Sequence, residues 1–111
     1  MSERKDKDFL SHINEAVKRT VLYVEKMTYE QFLEDIKTQD AVIRNIEIIS
    51  EATKNISEEL RNRYPEIPWK NMGGMRDKLI HHYFGVNLSI VWEAAKKEFP
   101  EIIKQIETIF V

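Results

Sequence analysis

The chain has 111 residues, no cysteine, and a net charge of −2 from 17 basic and 19 acidic side chains. This leaves no disulfide or thiolate metal site, no global positive field to draw nucleic acid, and no apolar run near the ~20 residues of a membrane span. Its 32% charged and 42% hydrophobic residues, with three Gly and three Pro, describe a helical protein. One domain over residues 1–111 is expected. The opening Met-Ser-Glu-Arg-Lys-Asp-Lys-Asp contains no apolar leader, so a cytoplasmic protein without a membrane role is expected.

Phe9, Ile13, Ala16, Val17, Val21 and Val24 recur at helical spacing and predict a first helix from about Lys5 to Val24, its stripe widened by Leu10 and Leu22. His12 beside that stripe reads as an ordinary helix residue. Thr28 with Gln31 spells a capping box and predicts a short helix over Glu30–Ile36. Its carboxylates Glu30, Glu34 and Asp35 lack a His at ligand spacing and read as a solvated face. Thr38 reads as the N-cap of a long helix to about Ile56, with Val42, Ile46, Ile49, Ala52 and Ile56 facing inward. Glu47 and Glu51, one turn apart, invite the di-metal site of four-helix bundles. That site also needs Glu-x-x-His pairs, and no Glu stands three residues before any His here.

Ser57 caps a short extension, Glu58–Arg63. Pro65 and Pro68 predict an extended link over Tyr64–Ile67. Pro68 suits the first turn of the next helix, and Trp69 anchors that turn in the core in preference to stacking on a nucleobase. Asn87 caps the final helical region, where Leu88, Val91, Trp92 and Ala95 face inward. Pro100 kinks or restarts that helix. The apolar face from Ile102 to Phe110 is core or an oligomer contact. With no alternating strand pattern, the fold class is all-α: an up-and-down four-helix bundle with one additional short helix.

The stretch richest in chemistry is Ile67–Tyr83, which holds Arg76, His81 and Tyr83 in the order Arg-x4-His-x-Tyr. Arg offers phosphate oxygens a permanently charged planar fork, His moves protons near neutral pH, and Tyr carries a modifiable hydroxyl. On an ideal helix Arg76 and Tyr83 share a face, whereas His81 stands roughly 140° around and ~7.5 Å along from Arg76. A dimer bringing two motifs together would compensate. Gly73 and Gly74 just upstream mark either a helix boundary or a close approach of backbone or phosphate. They form no phosphate-binding loop, lacking Gly-x-Gly-x-x-Gly and Gly-Lys-Ser/Thr.

Arg76-x4-His81-x-Tyr83, with Tyr64-Pro65-Glu66-Ile67-Pro68-Trp69 and Gly74-Met75-Arg76 before it, resembles the HepT type of toxin in the HEPN superfamily. Gln39–Asn45, Ile49–Ala52 and Val91-Trp92 extend the resemblance over most of the chain. It implies a HEPN-type bundle acting as a metal-independent endoribonuclease without a cofactor. Arg76 and His81 would be catalytic, Asp77 supporting, and RNA the substrate. It also implies the toxin of a type VII toxin–antitoxin pair. There Tyr83 accepts AMP from a minimal nucleotidyltransferase antitoxin of the MntA type, and the active site is composite in a homodimer or higher oligomer. The alternative is a non-catalytic helical module that binds nucleotide or substrate for a nucleotidyltransferase.

Overall fold

Helix α1 (Ser2–Val24) is the longest element of the computed structural model, which describes residues 2–81 and 85–110. Leu10, Ile13, Ala16, Val17 and Val24 are buried as the spacing predicts, but Leu22 is 66% exposed. Leu22 stands nine residues from Ile13, about 900° of helical turn, and so projects from the opposite face.

Helix α2 (Tyr29–Glu34) starts with the predicted capping box: Gln31 N–H donates to Thr28 Oγ1 (3.1 Å) and Thr28 N–H to Gln31 Oε1 (2.9 Å). Helix α3 (Ile36–Lys54) follows at once, and its N-cap is Asp35, not Thr38. Asp35 leaves helical geometry at φ −111°, ψ 85°, and its Oδ1 accepts the Thr38 N–H at 3.0 Å. Thr38 is therefore the capped residue and Asp35 the cap, at once ending α2 and beginning α3. Gln39 Nε2 reaches back to the Phe32 and Leu33 carbonyls (2.9 and 3.1 Å) at the end of α2, where the Phe32 carbonyl also accepts the Asp35 N–H at 3.2 Å.

Helix α4 (Glu58–Arg63) is capped by Ser57, whose Oγ accepts the Leu60 N–H at 3.1 Å. The same serine donates its Oγ–H to Asp6 Oδ2 (2.6 Å) and its N–H to Asp6 Oδ1 (2.9 Å), tying α4 to the start of α1. The Tyr64–Ile67 link is folded rather than extended. Ile67 N–H closes a turn on the Tyr64 carbonyl (3.2 Å), and Trp69 N–H closes a tighter one on Ile67 (2.8 Å) around Pro68, whose φ −78° and ψ 64° are those of an inverse γ-turn. Trp69 is 6% exposed and donates its indole N–H to the Tyr64 carbonyl at 2.9 Å, the anchoring role expected of it.

Helices α5 (Trp69–Gly73) and α6 (Met75–Leu79) are separated at Gly74. A two-residue antiparallel pairing follows, β1 (Ile80–His81) with β2 (Gly85–Val86). From Asn87, whose Oδ1 accepts the Ile90 N–H at 3.3 Å, helix α7 (Leu88–Glu93) runs through a π-helical turn (Ala94–Glu98) into helix α8 (Phe99–Glu107). Pro100 cannot donate to the carbonyl four residues back, and the wider π-turn before it accommodates that gap.

The architecture is an all-α bundle. α1 packs on α3 and α8, and α3 packs on α5 and α6. Ile13, Val17, Ile46, Ile49, Met72 and Phe99, each at most 1% exposed, form its centre. Ile102 and Ile106 join that core, so the C-terminal apolar face is largely internal, with Phe110 half exposed beyond it. Lys96 closes one end by donating to the Val24 and Glu25 carbonyls (2.8 and 3.2 Å), a cation at the C-terminus of α1, with its ammonium 5.0 Å from the Trp92 ring centre. Among the described residues no helix is long and apolar enough to cross a membrane.

Candidate active site

The motif does not lie on one helix. Arg76 is the second residue of α6, which ends at Leu79, and His81 has its backbone in β1 opposite Gly85. The 140° separation calculated for a continuous helix therefore does not apply, nor does the dimer argument drawn from it. Extended backbone after Leu79 swings the chain out of the helical path, and Asn87 N–H holds the Leu79 carbonyl at 3.0 Å as it returns. The side chain of His81 and all of Tyr83 lie outside the described residues.

Arg76 is placed in three ways. Its N–H donates to the Ser50 hydroxyl on α3 at 3.0 Å. Its Nε lies 3.6 Å from Glu47 Oε2, and its Nη1 lies 3.8 Å from Asp77 Oδ1. Glu47 is in turn 3.9 Å from Arg44 Nη1, so one carboxylate sits between two guanidiniums. The Arg76 side chain is 51% exposed. Ion pairs this long and this exposed contribute about 0–1 kcal/mol each, so a phosphate can displace them at little cost.

Asp77, next to Arg76 in sequence, keeps its carboxylate 3.8 Å from the Arg76 Nη1. The structure adds two partners that spacing did not suggest, Glu47 and Ser50. Glu47, considered only as half of a metal pair, faces Arg44 and Arg76 instead. The available signal for Ser50 was a hydroxyl on the apolar stripe of α3, one residue after Ile49.

The Gly pair proves to be a boundary. Gly73 ends α5, and a Cβ there would meet Lys54 and Thr53 side-chain carbons at 3.7 and 3.8 Å, an ordinary contact. Gly74 has φ −92°, open to any residue. Two clefts adjoin the region. One of about 230 Å³ is lined by Phe9, His12, Arg44, Glu47 and Glu51. One of about 180 Å³ is lined by Lys70, Gly74, Met75, Lys78, Ile90 and Glu98.

The family described as Ribonuclease HepT-like matches residues 13–109. The chain belongs to the HepT-like ribonuclease family. It is 47% identical over 109 residues to a Methanocaldococcus jannaschii protein whose name proposes an RNase, covering 98% of this chain and 90% of that protein. It is 44% identical to the "Probable ribonuclease HepT" of Thermococcus cleftensis, covering 96% and 97%. A second M. jannaschii protein with an RNase name is 46% identical over 98% and 90%. No solved structure matches the chain.

In this HepT-like ribonuclease the described half of the motif is a half-exposed guanidinium with its backbone fixed and its fork held loosely. That suits a group which must receive charge. Its two ends are held unlike: firmly at the N–H and loosely at the fork.

Proposed function

We propose that this chain is a metal-independent endoribonuclease acting through Arg76 and His81, and the toxin of a type VII toxin–antitoxin pair. The observation that supports it most is the half-exposed Arg76 fork, paired among the described residues through contacts of 3.6 and 3.8 Å, in a chain of the HepT-like ribonuclease family. In the proposed reaction the 2′-OH of one nucleotide attacks the adjacent phosphorus while the P–O5′ bond breaks. His81 takes the 2′-OH proton or supplies one to O5′, with solvent water serving the other oxygen, and Arg76 stabilises the charge that builds on the phosphoryl oxygens. Asp77 orients the guanidinium. The products end in a 2′,3′-cyclic phosphate and a 5′-hydroxyl. Because the nucleophile belongs to the RNA, no metal and no cofactor enters the scheme.

Control falls to Tyr83, the motif tyrosine. AMP added there by a minimal nucleotidyltransferase antitoxin would offer the Arg76 fork a phosphate in place of the substrate's. The working form is a homodimer or higher oligomer, in which a second copy raises the modest local positive charge around the RNA.

The test is a cleavage assay on labelled RNA in EDTA, with the antitoxin and ATP added in a second arm. Wild type should cleave. Arg76→Ala and His81→Ala should each lose about 10²-fold or more in rate. AMP should map to Tyr83 and silence cleavage in wild type, whereas Tyr83→Phe should escape the silencing. A His81→Ala protein as fast as wild type would sink the mechanism. A chain that binds RNA but never cleaves it would leave the binding-module reading.

A further inference from the structure

We infer that Ser50 is a positioning residue for Arg76: its hydroxyl is a wedge that breaks the motif helix and sets where the guanidinium stands. The inference rests on the role proposed above for Arg76. In an uninterrupted α-helix the Arg76 N–H would donate to the carbonyl of Met72, four residues earlier. Here the Ser50 Oγ stands between them. It donates to the Met72 carbonyl at 3.0 Å and accepts the Arg76 N–H at 3.0 Å. A side chain entering the helical ladder is one of the few physical causes of a sharp break, and the break at Gly74 falls between those two residues.

Ser50 is 1% exposed and Met72 is fully buried, so the bond between them is shut off from solvent, and the bond from the Arg76 N–H is partly so. The hydroxyl bonds in both directions: its one proton goes to α5 and one of its lone pairs accepts from α6. Because Ser50 and Glu47 are both on α3, the helix that holds the Arg76 backbone also presents the carboxylate to its fork. Without the hydroxyl, the Met72 carbonyl and Arg76 N–H must find other partners. The nearest are each other. Closing that bond would wind α5 into α6 and carry Arg76 away from its place beside α3.

The experiment measures kcat and KM of the full chain on a fluorophore-labelled oligoribonucleotide of mixed sequence. Ser50→Ala should lower kcat by about 10²-fold, the order expected when a reacting group is displaced by about 1 Å, with KM little changed. Ser50→Thr, which keeps the hydroxyl, should recover most of that loss. Ser50→Ala added to Arg76→Ala should cost nothing further, because the serine acts through the arginine. Thr20→Val, which removes a buried hydroxyl from α1 far along the chain, should leave kcat unchanged.

Wild-type kcat in Ser50→Ala beside an inactive Arg76→Ala would overturn the positioning role while sparing the nuclease mechanism. Losses that multiply in the double variant would also overturn it. An Arg76→Ala protein with wild-type kcat would instead sink the mechanism itself, and the positioning role with it. Should Ser50→Ala not fold, Ser50→Cys carries the test. Its weaker thiol bonds predict an intermediate kcat, and wild-type kcat there overturns the inference.

Discussion

Two junctions in this bundle stop one helix and start another, and they do so by different means. At α2–α3 a single residue makes the break: Asp35 leaves helical geometry and its carboxylate caps the N–H three residues on. At α5–α6 the cause comes from another helix, with Ser50 entering the ladder 22 residues before Met72 and 26 before Arg76. The first junction is complete in itself and carries nothing catalytic. The second is set by tertiary packing, and the candidate charge-stabilising residue stands on its far side. A local cap turns the chain wherever it is placed. A remote wedge fixes the new helix relative to the element that supplies the wedge, which is what a site of several groups requires.

If the junctions are independent, damage at the first should cost stability without altering chemistry. Phe32 is fully buried on α2, its ring 5.3 Å from that of Trp92. Phe32→Ala should cost about 3–5 kcal/mol, the largest effect expected here, measured by urea unfolding. Its kcat per folded molecule should equal wild type. A lower kcat at full folding would show that the two ends communicate, and the contrast would fail.

A third junction combines both means. Ser57 caps its own helix through Leu60 and also holds Asp6, 51 residues earlier. Asp6 is 7% exposed. Ser57→Ala should therefore cost more than a surface cap does, about 2 kcal/mol from the lost cap and the loss of its Oγ–H to a buried carboxyl. Unfolding of Ser57→Ala, Asp6→Ala and the double variant separates the two parts. If the single costs simply add, the Oγ–H bond to Asp6 contributes nothing, and only the Ser57 N–H still ties the junction to α1.

What could be read from the sequence divides along the same line. The capping box at Thr28, the caps at Ser57 and Asn87, and the anchoring of the next helix start by Trp69 depend on residues within a few positions and are legible from spacing, although Pro68 precedes that helix as its N-cap and does not stand in its first turn. Asp35 and Thr38 are both N-cap residue types three apart, so Thr38 reads as the cap in the sequence, and only the bond between them tells cap from capped. The end of α6 at Leu79 was not legible, since Leu79 and Ile80 prolong an apolar run that suits a helix equally well. Arg76 and Asp77 could be named from the motif. Glu47 and Ser50 could not, because no spacing rule joins α3 to a residue 26 or 29 positions later.

The smallest expected effect separates the two kinds of junction by pH. Bonds from the Thr38 backbone N–H and then the Thr38 side chain, with Lys37 nearby, hold the Asp35 carboxyl below its usual value against slight desolvation. In the unfolded chain those partners are gone and the group returns to about 3.9. Between the two values the unfolded chain binds more protons than the folded one. The cap's contribution is thus whole above the ordinary Asp value and is lost as pH falls through it toward the folded one. Asp35→Ser keeps a capping oxygen that does not titrate. The melting-temperature advantage of wild type over Asp35→Ser should therefore be steady near pH 6 and shrink below about pH 4. An advantage that stays flat to pH 3 would mean that the carboxylate is not what holds the α2–α3 break. At α5–α6 the wedge is a hydroxyl and does not titrate, so the stability difference between wild type and Ser50→Thr should stay level over the same range. Parallel melts of the three proteins would then show one break that acid loosens and one that it does not, as expected if a local charge makes the first and a buried neutral group from another helix makes the second.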